Sequence, residues 1–180
     1  MAAGSFTTDI TAIRKRARQK MEEGPVTGSY GKDPKDVIAV LNEVVATEIV
    51  CWMRYTRHSI SASGINRAQV ASEFTEHAES ERGHAMRAAE RISQLGGDPD
   101  PDFDPATVAK RAHTTYETFA DEDLEGMLRD NLTAERIVIT TYQEIIRWLG
   151  DADPTTRRLL EDILADEEEH ADDIVDLLGA

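Results

Sequence analysis

Six residues of this 180-residue chain are of the types and at the spacings that bind metal ions: Glu48, the pair Glu81 and His84, then Glu135, then the pair Glu167 and His170. Each half of the sequence supplies one lone glutamate and one Glu-x-x-His. The steps from 48 to 135, 81 to 167 and 84 to 170 are 87, 86 and 86 residues. A Glu and a His three apart on a helix project from the same face. Two such pairs plus two single glutamates, one contribution per helix, make the carboxylate and imidazole set that holds two metal ions inside a four-helix bundle. A chain with 35 acidic residues produces one Glu-x-x-His by chance. Two of them, each preceded by a glutamate 33 or 32 positions upstream, form a pattern.

Hard carboxylate oxygens and borderline imidazoles suit iron or manganese, and no set of cysteines invites structural zinc. Four carboxylates balance two divalent cations, so the filled site is near neutral. The chemistry expected is oxidation at a two-iron site by dioxygen or peroxide, each metal having one terminal glutamate and one histidine. Glu81 and Glu167 are the expected bridges. Tyr55 and Tyr142 each lie seven residues after a lone glutamate, two turns along the same helix face. They are candidates to hydrogen-bond a ligand carboxylate or to donate an electron, with Tyr55 taken as a catalytic candidate; a plain core tyrosine is equally open. His77, one turn before Glu81, is either a further metal contact or a hydrogen-bonded core histidine.

The elements that position these residues are helices, and no alternating strand pattern stands out. Asp33-Pro34 is a helix start, and the first long helix runs to about Ser63 with Gly64 as its stop. Its expected buried stripe is Val37, Leu41, Val44, Val45, Glu48, Trp52 and Tyr55. Burying an ionised carboxylate unpaired costs several kcal/mol, so a glutamate inside that stripe calls for a cation. The second helix, about Asn66 to Leu95, stops at Gly96-Gly97. A long break follows to about Ala120, containing Asp98-Pro99-Asp100-Pro101 and a short helix from Pro105 to about Thr115. A bundle with one long crossover places its second and third helices parallel. The third helix begins near Asp121 and ends at Leu149-Gly150, and Asp153-Pro154 opens the fourth.

Residues 1–32 stand apart from the bundle expected over 33–180. A short helix, Asp9 to Glu23, carries Arg14, Lys15, Arg16, Arg18 and Lys20, and Val26 to Lys32 reads as a flexible linker. The arm either docks on a neighbouring acidic subunit or touches DNA. A formal net charge of −15 argues against nucleic-acid binding by the chain as a whole. No apolar run is long enough to span a membrane, and the N-terminus has no secretory signal. The single cysteine, Cys51, sits in an apolar helix as a packed thiol and suits a reducing compartment, so a cytoplasmic location is expected.

The sequence resembles the ferritin-like superfamily, within it the bacterioferritin and Dps-like (mini-ferritin) branch. The resemblance covers about residues 33 to 178. It rests on Leu41-Asn42-Glu43 leading to Glu48, on Glu81-x-x-His84, on Glu135, and on Asp166-Glu167-Glu168-Glu169-His170. The Gln94-Leu95-Gly96-Gly97 ending is also similar to bacterioferritin. The resemblance implies an intrasubunit ferroxidase centre with two iron ions per subunit and a hollow shell storing ferric mineral. Bacterioferritins bind haem through a methionine directly after the first glutamate of Glu-x-x-His. Here that position is Arg82, with Met86 more than a turn away, so haem is not expected. The 24-subunit shells carry a fifth helix after the bundle, whereas this sequence stops at Ala180; a dodecamer is therefore expected. The alternatives are a rubrerythrin-like di-iron peroxidase or oxidase and a Dps-like DNA-protecting nucleoid protein.

Overall fold

The computed structural model describes residues 8–99, 105–116 and 123–179. Four long helices form the bundle: α2 (Pro34–Ser61), α3 (Arg67–Gln94), α5 (Leu124–Leu149) and α6 (Pro154–Leu178). Two short ones, α1 (Ile10–Arg16) and α4 (Pro105–Arg111), lie outside it. No strand occurs among the described residues, and none of the described helices is long and apolar enough to cross a membrane.

Local chemistry sets the helix starts. Asp33 and Asp153 each cap a helix that has proline in its first turn, their carboxylates accepting from Lys35 N and Thr156 N. The third bundle helix starts at Leu124 with Asp123 as its cap, which accepts from Gly126 N; the expected start near Asp121 lies outside the described residues. Gly97 lies so close to α2 that a Cβ there would sit 2.8 Å from Ile38 Cδ1. The end of α3 is thereby held against α2.

Helix directions follow from the residues that meet. Tyr55 of α2 reaches Glu135 of α5, and Tyr142 of α5 reaches Glu48 of α2, so α2 and α5 run antiparallel. Likewise α3 meets α6 in reverse order, His84 against Asp166 and Arg91 against Thr156. Short turns make α2 and α3, and α5 and α6, antiparallel hairpins. The second and third bundle helices are therefore parallel, as one long crossover requires. The core divides into a cluster around Leu41, Ile92, Leu160 and Ile163 and another around Tyr55, Phe74, Leu128 and Ile174.

Four expectations change. Helix α1 ends at Arg16, and the chain turns at Lys20 (φ 53°) before a single 3-10 turn at Met21–Glu23. None of α1 is buried, and a short helix without a packed face has little to sustain it. The stretch 26–32 is not a free linker. Tyr30 donates to Asp153 Oδ2 (2.5 Å), Gly31 N donates to Ala152 O (3.2 Å), and Lys32 Nζ lies 4.1 Å above the Trp148 ring. Gly31 is required there, since a Cβ would come within 2.9 Å of Ala152. Helix α4 stops at Arg111, because His113 N then bonds Thr47 Oγ1 (2.9 Å) and Thr114 is buried against Cys51. The crossover thus covers a second face of α2, burying Ala46 and Val50 under Val108. Trp52, expected in the buried stripe, is only half-buried.

Candidate metal centre

The six sequence-selected residues converge from all four bundle helices. Glu48 comes from α2, Glu81 and His84 from α3, Glu135 from α5, and Glu167 and His170 from α6. They form two groups able to hold a metal ion, Glu48–Glu81–His84–Glu167 and Glu81–Glu135–Glu167–His170, with the donor atoms of each group within 4.8 Å of one another. Glu81 and Glu167 belong to both groups, the position a bridging ligand must have. All six are buried, the most exposed being His170 at 6 %.

The donor atoms point at each other without pairing. His84 Nδ1 lies 3.4 Å from Glu48 Oε2, 3.0 Å from Glu167 Oε1 and 3.7 Å from Glu81 Oε2. His170 Nδ1 lies 3.5 Å from Glu81 Oε1 and from Glu167 Oε2. None of these atoms, nor Glu135 Oε2, makes a hydrogen bond. Buried polar atoms almost always find a partner. A cluster of converging unpaired ones, four carboxylates among them, fits a pair of cations and little else.

Burial and mutual repulsion leave their mark on protonation. Burial, then the charge of Glu81, pushes Glu48 up to about 8. Glu135 rises well above the carboxylate range for the same first reason, with Glu167 and Glu81 adding to it. Burial would lower His170, but the glutamates 167 and 81 outweigh it and raise the ring to about 11. His84 moves up likewise against burial, through Glu167, Glu48 and Glu81. Glu81 moves down: burial and Glu167 oppose ionisation, and the proximity of Glu48, His170 and His84 prevails. Protons and cations therefore compete for the same atoms.

The tyrosines are arranged crosswise. Each lies on the same helix as one lone glutamate but donates to the other: Tyr55 to Glu135 Oε1 and Tyr142 to Glu48 Oε1. Both are fully buried, and burial first keeps their hydroxyls protonated. Each hydroxyl thus occupies the outer oxygen of a lone glutamate and leaves the inner oxygen unpaired and facing the centre. Tyr142 has the same standing as Tyr55.

Two supporting features escaped the sequence reading. Asp166 Oδ2 lies 3.0 Å from His84 Nε2, with Ser80 Oγ at 3.3 Å. An Nε2–H donated to that carboxylate turns the Nδ1 lone pair toward the centre. Its only signal was the acidic run before His170. Beside Tyr55, Arg54 is buried, bonding Asn131 Oδ1 (2.8 Å) and Thr115 O (3.1 Å), while Asn131 Nδ2 reaches His58 Nδ1 (2.8 Å). Cys51 is buried next to Arg54 and Thr114, and burial raises its thiol well above the ordinary value. His77 belongs to neither group of the centre; its ring stacks on His170 at 4.1 Å. Arg82 points outward and pairs with Glu79 (3.0 Å).

Comparison with known proteins gives a consistent picture. The family model of the ferritin-like domain matches residues 38–180. A bacterioferritin from Desulfovibrio desulfuricans is 29 % identical over 136 residues, 74 % of this chain and 69 % of that protein. The DNA protection during starvation protein of Pyrococcus furiosus is 28 % identical over 141 residues, covering 78 % and 75 %. Among solved structures, the dodecameric thioferritin described as the bacterioferritin-related protein of Bacteroides fragilis superposes with a TM-score of 0.78 at 36 % identity, over 83 % of this chain and 88 % of that one.

Proposed function

This chain belongs to the ferritin-like domain family, and from that premise we propose that it oxidises ferrous iron and stores the ferric product in a hollow shell of twelve chains. Two ferrous ions per chain are the substrate. Glu48 and His84 hold one, Glu135 and His170 the other, and Glu81 and Glu167 lie between them. The observation that carries this reading is the sharing of two buried glutamates between two donor groups. Four carboxylates offset two divalent cations, and oxygen donors with imidazole suit iron in both oxidation states. Each ferrous ion gives up one electron. The pair reduces hydrogen peroxide, with two protons, to two waters, or reduces dioxygen, with two protons, to hydrogen peroxide. Tyr55 and Tyr142 orient Glu135 and Glu48, and the buried setting keeps bulk water from the ligands. The iron enters as substrate, so no haem is invoked.

Ferrous iron added under air or with peroxide is expected to give a ferric absorbance rise. Glu81→Ala and Glu167→Ala each remove a shared ligand, and both should abolish the fast phase and deplete both ions. A fast phase in either variant equal to that of the parent protein would overturn the assignment.

A second reading concerns the arm. Arg14, Lys15 and Arg16 end an exposed helix, and a DNA protection protein is among the relatives. Phosphate contact through this arm is compatible with iron storage by the bundle.

A further inference from the structure

His77 takes no part in either donor group of the dinuclear centre, yet its ring is 3 % exposed and stacked on the ligand His170. It forms a third group with Glu73 on its own helix and Asp173 on α6, the donor atoms again within 4.8 Å of one another. Its Nε2 lies 3.3 Å from Glu73 Oε1 and 3.5 Å from Asp173 Oδ2. Neither ring nitrogen makes a hydrogen bond, although a buried histidine kept only for packing ordinarily finds a partner. A metal ion bonded at about 2.1 Å to two donors holds them about 3.0 to 3.4 Å apart, for angles near 90° and 109° respectively. The His77 distances match that edge as well as those of His84 and His170 do. The carboxylates differ from those of the centre in one respect: the Glu73 and Asp173 side chains are 29 % and 43 % exposed. The third group therefore opens to solvent on one side and abuts the centre through the His77–His170 stack on the other.

We propose that Glu73, His77 and Asp173 form a third, mononuclear site for a divalent transition-metal cation at the solvent-facing mouth of the dinuclear centre. Two carboxylates and one imidazole leave coordination positions for water, so the ion is held exchangeably. Its use as a staging position for ferrous iron rests on the iron-oxidation reading; the binding site does not.

Equilibrium dialysis against Co(II), followed by metal analysis of the full chain, tests the site. The parent protein should hold three ions per chain, His77→Ala two, Glu81→Ala/Glu167→Ala one, and the triple variant none. A parent protein that saturates at two, or a His77→Ala variant that holds as many as the parent, overturns the third site. Loss of one ion in His77→Ala with no loss in the double variant supports the third site and refutes the dinuclear reading instead. Should His77→Ala fail to fold, Asp173→Asn on the exposed side takes its place. It should weaken the third ion at least about tenfold and leave the other two, and unchanged binding overturns the proposal. For the staging role, Asp173→Asn should slow the initial ferric absorbance rise at limiting iron; an unchanged rate refutes that role.

Discussion

Asp153 joins three parts of the molecule through one carboxylate. It caps α6 by accepting from Thr156 N (3.0 Å) and Thr156 Oγ1 (2.5 Å), receives the Arg91 guanidinium (3.2 Å), and accepts from Tyr30 of the docked linker. Both Asp153 and Arg91 are buried. Loss of a cap costs about 1 kcal/mol, and breaking a buried pair from one side costs about 3–5 kcal/mol. Because Arg91 keeps Thr156 Oγ1 and Gln94 as partners, Asp153→Ala should cost about 3 kcal/mol, read as a lower urea midpoint. Burial alone would raise the Asp153 pKa, but Thr156, Tyr30 and Arg91 together lower it. Its contribution is therefore complete above the unfolded value of about 3.9 and is lost as pH falls through the lower folded value. The difference between the parent protein and Asp153→Asn should be full at pH 6 and shrink steadily below pH 4. A difference that grows on acidification would contradict this account. In the sequence Asp153 could be read only as a cap, because Arg91 and Tyr30 lie 62 and 123 positions away. The six centre residues were legible for the opposite reason: helical spacing is local, and the second set repeats the first. Asp166, Arg54 and Asn131 were not legible, since a buried polar residue and an exposed one look alike until the packing is known.

At the scale of elements, the four bundle helices follow from their caps and apolar stripes, and their directions follow from the length of the crossover. The pieces outside the bundle were the hard part. Whether a segment such as 26–32 docks depends on what it meets, here the α5–α6 turn, and nothing in its own glycines says so. The same holds for α4, which the sequence extends past the point where His113 and Thr114 turn down onto α2. The exposed arm carries its own prediction. Its first 24 residues hold five basic side chains against three acidic ones, leaving −17 on the rest of a chain whose total is −15. A mobility-shift assay at low salt should retard DNA with the full chain and not with a truncation that starts at Gly24. Raising the salt should abolish the shift, as for any phosphate contact. Equal binding by both forms would place the contact elsewhere, and no binding by either would favour the arm as a subunit clasp.

At the scale of the whole molecule, a bundle that only oxidised iron would release an insoluble product, so storage needs an enclosure built from symmetric contacts. The surface offers material for such contacts. Ile60, Ile65 and Met86 are 80 %, 101 % and 63 % exposed, and Ile137 and Trp148 are 40 % exposed each. The dodecameric thioferritin, 36 % identical where it matches 83 % of this chain, supports the proposed number of twelve. Twelve chains of 20.0 kDa make 240 kDa, to be measured by light scattering after gel filtration. A mass near 480 kDa would refute the dodecamer, and a stable dimer near 40 kDa would favour a soluble di-iron oxidase without a store.

The crossed tyrosines also mean that half a turn about an axis between Glu81 and Glu167 exchanges one hairpin with the other. Glu48 then takes the place of Glu135, Tyr55 of Tyr142, and His84 of His170. His77 has no such twin, for 86 positions on stands Ile163, buried in the apolar core. The two donor groups are thus alike in composition and unlike in their neighbours: one backs onto Asp166, the other onto the second imidazole of His77. A centre assembled from two equivalent halves is therefore unequal in its surroundings, with a carboxylate behind His84 and a stacked imidazole behind His170.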